Sequence, residues 1–264
     1  MASSKSDNSH GFRRTSLLAG RGFRVPVTRT SLDSTKYACG RVFVMINKMK
    51  VYAFEATDWA EAERRGLTKR KAIAAIEEGL KATAKLLPTL SKHLNIAVRP
   101  YFMGIIPEYG TGARTHDSEF IEIWFDKSLP HGAEKTLKFL YLTVFHEGNH
   151  AARWNSIEAD NRLVEAAVFE GLATVFEREY AGYRPLYGKY EDDATMQKWF
   201  DEIKAAGEDW SKYDKLFYDN PDGRRWVGYK TGTWIIDKAL KSGKSVIELT
   251  TLPADEIIAL ANIG

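Results

Sequence analysis

The chain has 264 residues, 44% of them hydrophobic and 28% charged, the composition of an ordinary globular protein with room for one sizeable core. It contains no run of the roughly 18 apolar residues that a membrane span needs, and its single cysteine, Cys39, excludes an intramolecular disulfide and marks no oxidising compartment. The net charge of +3 is uneven: ten Lys or Arg against Asp7 and Asp33 give residues 1–50 a charge of +8 and leave −5 for the other 214 residues.

Residues 1–40 are rich in Ser, Arg, Thr and Gly without a helical or strand period, which predicts a disordered basic tail. A secretory signal is excluded, because Arg21 and Arg24 interrupt the apolar stretch that begins at Leu17-Leu18-Ala19. An organellar transit peptide and a nucleic-acid arm are alternative readings of such a segment, and a translation start near Met49 is another. The chain is expected in the cytoplasm, or in an organelle if the tail is a transit peptide. No nucleic-acid partner is expected. Cys39 has no histidine close in sequence, so it is not expected to be a nucleophile.

From Arg41 to Phe54, the runs Val42-Phe43-Val44-Met45-Ile46 and Val51-Tyr52-Ala53-Phe54 predict one or two strands. Thr68 is placed to cap a helix whose apolar stripe, Ala72, Ile73, Ile76, Leu80, Ala84 and Leu87, stops at Pro88. Ile96-Ala97-Val98 with Tyr101-Phe102-Met103 predicts a strand broken at Pro100. Gly110-Thr111-Gly112-Ala113-Arg114 precedes no helix, so it reads as a mobile loop rather than a phosphate cradle, with His116 able to approach a substrate. Phe120–Phe125 alternates like a strand with Ile121, Ile123 and Phe125 on one face, and His131 between Pro130 and Gly132 punctuates a helix start.

The next helix carries the pattern H-E-x-x-H, at His146-Glu147-Gly148-Asn149-His150. Residues four apart on a helix share a face, so both imidazoles can meet one metal ion, with Glu147 beside it as a proton acceptor for metal-activated water. Leu137, Tyr141, Val144 and Gly148 form the amphipathic stripe such a helix requires. Two imidazoles hold zinc weakly, so a third ligand must come from a downstream carboxylate. A second helical stretch, about Ile157 to Tyr180 with Ser156 or Asp160 as cap, offers Glu165 and Glu170. The helical neighbours of Glu165 are the bulky Val168, Phe169 and Leu172. Glu170 lies among Leu163, Ala166, Ala167 and Ala173 and precedes Gly171, a face small enough to let this helix approach the metal helix closely. Glu170 is therefore the expected ligand.

Beyond Tyr183, helices are expected near 192–206, 209–218, 225–241 and 254–262, with a turn at Asn220-Pro221-Asp222-Gly223. Trp199, Trp210, Tyr213, Phe217 and Trp226 are expected to form a core rather than a base-stacking surface. Tyr229 lies between glycines; it is a candidate phenol for stabilising an oxyanion, and those glycines can equally serve packing.

His146-Glu147-Gly148-Asn149-His150, followed by Phe169-Glu170-Gly171-Leu172-Ala173, resembles the gluzincin metallopeptidases. With Gly228-Tyr229-Lys230-Thr231-Gly232, the chain is more narrowly similar to the YjaZ-like family of predicted zinc-dependent proteases, from about Val51 to the C-terminus. The resemblance implies Zn²⁺ held by His146, His150 and Glu170, Glu147 as general base, and a peptide or protein substrate. It also implies that residues 119–125 form an exposed sheet edge on which a peptide lies, the alternative being an ordinary core strand. Many gluzincins place an acidic residue four after the ligand Glu; here that position is Thr174, leaving Glu177 or Asp160 to orient a histidine. The expected fold is α+β and zincin-like (gluzincin), with a small N-terminal sheet, an HExxH active-site helix and a mostly helical C-terminal lobe. Residues 41–264 then form the metallopeptidase domain, with the sheet and active-site helices in 41–182 and the helical lobe in 183–264. The alternative is a catalytically inactive, metal-stabilised peptide-binding or adaptor protein of the same fold.

Overall fold

The computed structural model describes residues 45–46, 48–158 and 160–263; the expectations for the tail of residues 1–40, for Cys39 and for Val42-Phe43-Val44 lie outside the described residues. The described chain opens on an antiparallel pair, β1 (Met45–Ile46) and β2 (Met49–Ala53). The short helix α1 (Trp59–Arg64) has too few residues to show a period in sequence; it is anchored by buried Trp59, whose indole N–H donates to the Phe54 carbonyl at 2.8 Å. Helix α2 (Lys69–Leu86) begins as predicted, with Thr68 accepting from the Lys71 backbone N–H, and its stripe of Ala72, Ile73, Ile76 and Leu80 is buried.

Strand β3 (Asn95–Pro100) pairs parallel with β2, and the crossover through α1 and α2 supplies the long connection that parallel strands need. Strands β4 (Thr111–Asp117) and β5 (Phe120–Phe125) form an antiparallel hairpin in which β5 pairs parallel with β3, so that the five strands of the described residues run in the order β1-β2-β3-β5-β4.

Two expectations are overturned here. Gly110 to Arg114 does not form a mobile loop: from Thr111 onward it is strand β4. A side chain at Gly112 would strike the Gly104 carbonyl and the Trp124 indole, so this glycine permits close approach of neighbouring groups rather than motion. Nor is residues 119–125 a sheet edge. Strand β5 is flanked on both sides, its Ile121, Ile123 and Phe125 are buried in the core, and the edge strands among the described residues are β1 and β4.

Helix α3 (Ala133–Trp154) starts after Gly132, which adopts positive φ, and α4 (Leu163–Tyr180) starts later than its apolar periodicity suggests. There Asp160 accepts from the Arg162 backbone N–H, a local turn that holds the chain out of the helix until Leu163. A 3₁₀ turn (Leu186–Gly188) leads to α5 (Asp193–Ala206), α6 (Tyr213–Phe217), α7 (Val227–Ala239), α8 (Val246–Thr250) and α9 (Ala254–Ala261). The five-residue α8 has no readable period, although Ser245 and Glu248 form a capping box at its start.

One continuous apolar core reaches from Met49 to Ile263 and joins the sheet to the helices. Of the aromatic residues expected inside, Trp199, Phe217 and Trp226 are buried and Tyr213 is half-buried. Trp210 is exposed and donates its indole N–H to the Asn161 carbonyl at 2.8 Å. Helices α4 and α7 cross backbone to backbone, because a Cβ on Gly171 would strike Gly232 and a Cβ on Gly232 would strike the Ala167 carbonyl; Gly171 and Ala167, expected to bring α4 against the H-E-x-x-H helix, serve this crossing instead. That crossing sets Tyr229, one turn before Gly232, within the electrostatic reach of Glu170. Among the described residues, no helix is long and apolar enough to cross a membrane.

Candidate metal centre

A helix buried on every side is ordinarily apolar. Helix α3 departs from this: every residue from Val144 to Arg153 is buried, and the stretch includes His146, Glu147, Asn149, His150 and Arg153. Each buried polar group needs a partner, and those partners define the site. Asn149 donates to the Thr250 hydroxyl at 2.9 Å. Arg153 donates from Nε and Nη2 to Glu165 Oε1 at 3.2 and 2.8 Å, and from Nη1 to the Thr250 and Leu252 carbonyls at 3.1 and 2.7 Å. Gly148, inside the motif, lets α3 pass close to α2, since a Cβ there would stand 2.7 Å from the Thr83 methyl group.

The two histidines converge on α4. His146 Nε2 lies 3.2 Å and His150 Nε2 3.3 Å from the same oxygen, Glu170 Oε2. The three residues are buried and offer ligand atoms all within 4.8 Å of one another; among the described residues no other group of His, Cys, Asp and Glu does so. Ligand atoms about 2.0–2.1 Å from a tetrahedral zinc stand about 3.3 Å from one another, so the two nitrogen–oxygen spacings are compatible with a metal coordination shell. Two neutral imidazoles and a carboxylate also suit other divalent metals, and the geometry does not select among them.

The electrostatics describe a site that attracts a cation. Burial works against a charged His146, but hydrogen bonds to Glu170 and Glu177 and the charges of Glu170 and Glu147 outweigh it and push its pKa up to about 10. Burial likewise favours a neutral Glu170, yet the charge of His150 and hydrogen bonds with both histidines hold its carboxyl down at about 2. Without a metal, a proton supplies the positive charge that this trio requires.

The choice between Glu177 and Asp160 is decided by position. Glu177 Oε2 lies 3.6 Å from His146 Nδ1 and accepts the Tyr187 hydroxyl at 2.8 Å, and that hydroxyl is 3.4 Å from the same ring nitrogen. Asp160 pairs with Arg162 instead. Glu177 is two turns beyond Glu170 on the same face of α4, and Thr174, in between, bonds its hydroxyl to the Glu170 carbonyl at 2.7 Å. Among the described residues His150 Nδ1 has no hydrogen-bond partner; its ring stacks on Phe169 at 4.0 Å between centroids.

Glu147 meets the sheet edge. The Thr115 hydroxyl of β4 lies 2.7 Å from Glu147 Oε2 and 3.0 Å from the Glu147 carbonyl oxygen. On the other side, Tyr229 of α7 stacks 6.4 Å from the His146 ring and lies tilted 5.2 Å from that of Tyr187. Burial first, then the charge of Glu170 and the nearby phenols of Tyr218, Tyr213 and Tyr187, raise the Tyr229 pKa well above the usual phenol value, so it remains an O–H donor. The glycines around it do pack: Gly232 meets α4, and Gly228 sits against the Phe217 ring.

His146, Glu147, His150, Glu170 and Tyr229 are thus gathered at one place. His116 is not; it stacks on Phe120 at 5.0 Å and lies 3.5 Å from Glu122. His131 faces the Pro107 carbonyl at 2.7 Å. Thr115, Tyr187 and Tyr218 carry no sequence signal, because each reaches the site from a different element through tertiary contact.

The fold and site define a chain of α+β architecture with a buried His-His-Glu group suited to a metal. Residues 128–259, half of the sequence, match the family described as "Predicted Zn-dependent protease (DUF2268)", and the chain belongs to that family. The family's description implies peptide or protein substrates. No curated protein and no solved structure matches the chain.

Proposed function

We propose that the chain is a zinc-dependent peptidase of gluzincin type, with residues 41–264 as its catalytic unit. The observation that carries this reading is the convergence of His146 Nε2 and His150 Nε2 on Glu170 Oε2, with the Glu147 carboxylate on the same helix turn. His146, His150 and Glu170 would hold the ion, and Glu177 with Tyr187 would orient His146. A zinc ion bound there would supply Lewis-acid polarisation and a water of lowered pKa. Glu147 takes a proton as the water oxygen bonds to the peptide carbonyl carbon, and returns it to the amide nitrogen as the C–N bond breaks. Tyr229, kept protonated by its surroundings, donates to the oxyanion that develops on the carbonyl oxygen. Strand β4, at an edge of the described sheet, would offer backbone groups to which an extended peptide can add irrespective of its side chains.

The decisive experiment pairs metal analysis of the wild type with peptide-library cleavage by the wild type and Glu147→Gln. Stoichiometric zinc in both proteins, with cleavage reduced about 10²- to 10⁴-fold in Glu147→Gln, is the expected result. Full cleavage by Glu147→Gln would sink the mechanism. A second reading, a metal-stabilised peptide-binding protein without turnover, draws on the burial of the site: His146, Glu147, His150 and Glu170 expose only 7, 7, 4 and 8% of their surface. Zinc and peptide binding without any cleavage would favour it.

A further inference from the structure

Among the described residues, Thr115 is the one group that donates a hydrogen bond to the Glu147 carboxylate. It comes from strand β4, 32 residues away in sequence, and it is itself buried. The strand is irregular at this point: its pairing with β5 shifts between Thr115 and Asp117. Such a bulge changes the direction of side chains along a strand. Here the intervening His116 turns outward to Glu122 and Phe120, while Thr115 faces α3. A threonine hydroxyl has one proton to give, and a charged carboxylate oxygen at 2.7 Å is a stronger acceptor than a backbone carbonyl at 3.0 Å.

We infer that Thr115 is a positioning residue for the general base, resting on the peptidase reading above. Its hydroxyl fixes Glu147 Oε2 and leaves Oε1 as the oxygen that accepts and returns the proton. The same strand is an edge strand of the described sheet, and on the proposed reading a peptide would lie along it. One hydrogen bond therefore ties the element that sets the register of the scissile bond to the base that acts on it. Displacement of a reacting group by about 1 Å can cost about 10²-fold in rate, so this tether matters even though Thr115 touches no reacting atom.

The test compares zinc-loaded wild type, Thr115→Val, which keeps the shape but has no hydroxyl, and Thr115→Ser, which keeps the hydroxyl. Zinc content, kcat and KM per bound zinc, and the Glu147 side-chain conformation in crystals of each protein are measured. In Thr115→Val, kcat per bound zinc is expected to fall about 10- to 100-fold with KM changed by less than about twofold, zinc content unchanged and Glu147 spread over several rotamers. Thr115→Ser is expected to recover kcat to within about threefold of wild type and to restore the single rotamer. Wild-type kcat per bound zinc in Thr115→Val overturns the inference, as does an activity loss that merely tracks zinc loss in both variants. If the zinc-loaded wild type cleaves no peptide, the peptidase reading fails by itself. The rotamers then decide the role of Thr115: one Glu147 conformation in Thr115→Val overturns it, and spreading confined to that variant supports it.

Discussion

Helices α3 and α4 hold two buried polar clusters about one turn apart: His146, His150 and Glu170 in one, Arg153 and Glu165 in the other. The second carries its own permanent cation. Arg153 is fully buried, and burial lowers its pKa, but Glu165 and two backbone carbonyls satisfy its donors. The first has a carboxylate and two imidazoles with no fixed positive charge, and it draws a proton to His146. The two buried clusters on this pair of helices thus differ in whether the chain supplies the cation. A cluster with its own cation serves the fold, and one without it is suited to a metal.

The largest expected effect breaks this comparison directly. Glu165→Ala leaves Arg153 buried without its carboxylate and is expected to cost about 3–5 kcal/mol of stability while leaving zinc stoichiometry intact in the folded protein. Glu170→Ala is expected to lose zinc. Because a ligand that binds only the folded state raises its stability, added zinc should raise Tm for wild type and Glu165→Ala and leave Glu170→Ala unmoved. Thermal melts with and without zinc check both, and a zinc response in Glu170→Ala would count against this residue as a ligand.

Next in size is Glu177→Ala, which removes the carboxylate beside His146 Nδ1. It is expected to weaken zinc affinity by about 10- to 100-fold, as measured by competition with a chelator, whereas Asp160→Ala should leave affinity unchanged.

A pH experiment sharpens the electrostatic half of the comparison. In the metal-free protein His146 keeps its proton up to about pH 10, against 6.5 for an ordinary imidazole. The stability that this proton contributes is full below pH 6.5 and fades as pH rises towards 10. A cation bound at neutral pH must expel it, so zinc binding at pH 7 should release about one proton. Calorimetry in buffers of different ionisation enthalpy measures this number, and a value near zero would contradict the assignment of a protonated His146.

The smallest effect concerns a pair that is neither buried nor central. Arg225 bonds Glu108 at 2.7 Å across the molecule, joining the segment before α7 to the turn that precedes β4. Solvent screens such a pair, so Arg225→Ala should change stability by less than about 1 kcal/mol in denaturant titrations.

What the sequence by itself determined were the features that depend on neighbours along one element. H-E-x-x-H at helical spacing puts His146 and His150 on one face, and Thr68 caps α2. Tertiary structure alone decided the rest. The sheet order made β4 an edge strand of the described residues and β5 an interior strand, a matter of long-range pairing that alternation within Phe120–Phe125 cannot encode. Gly112 suggests mobility in sequence but serves close packing once Trp124 and Gly104 lie against it. Glu177 rather than Asp160 reaches His146 because α4 begins at Leu163 and leaves Asp160 outside the helix. Thr115 meets Glu147 across 32 residues of chain, since a hydrogen bond between a strand and a distant helix leaves no period in either.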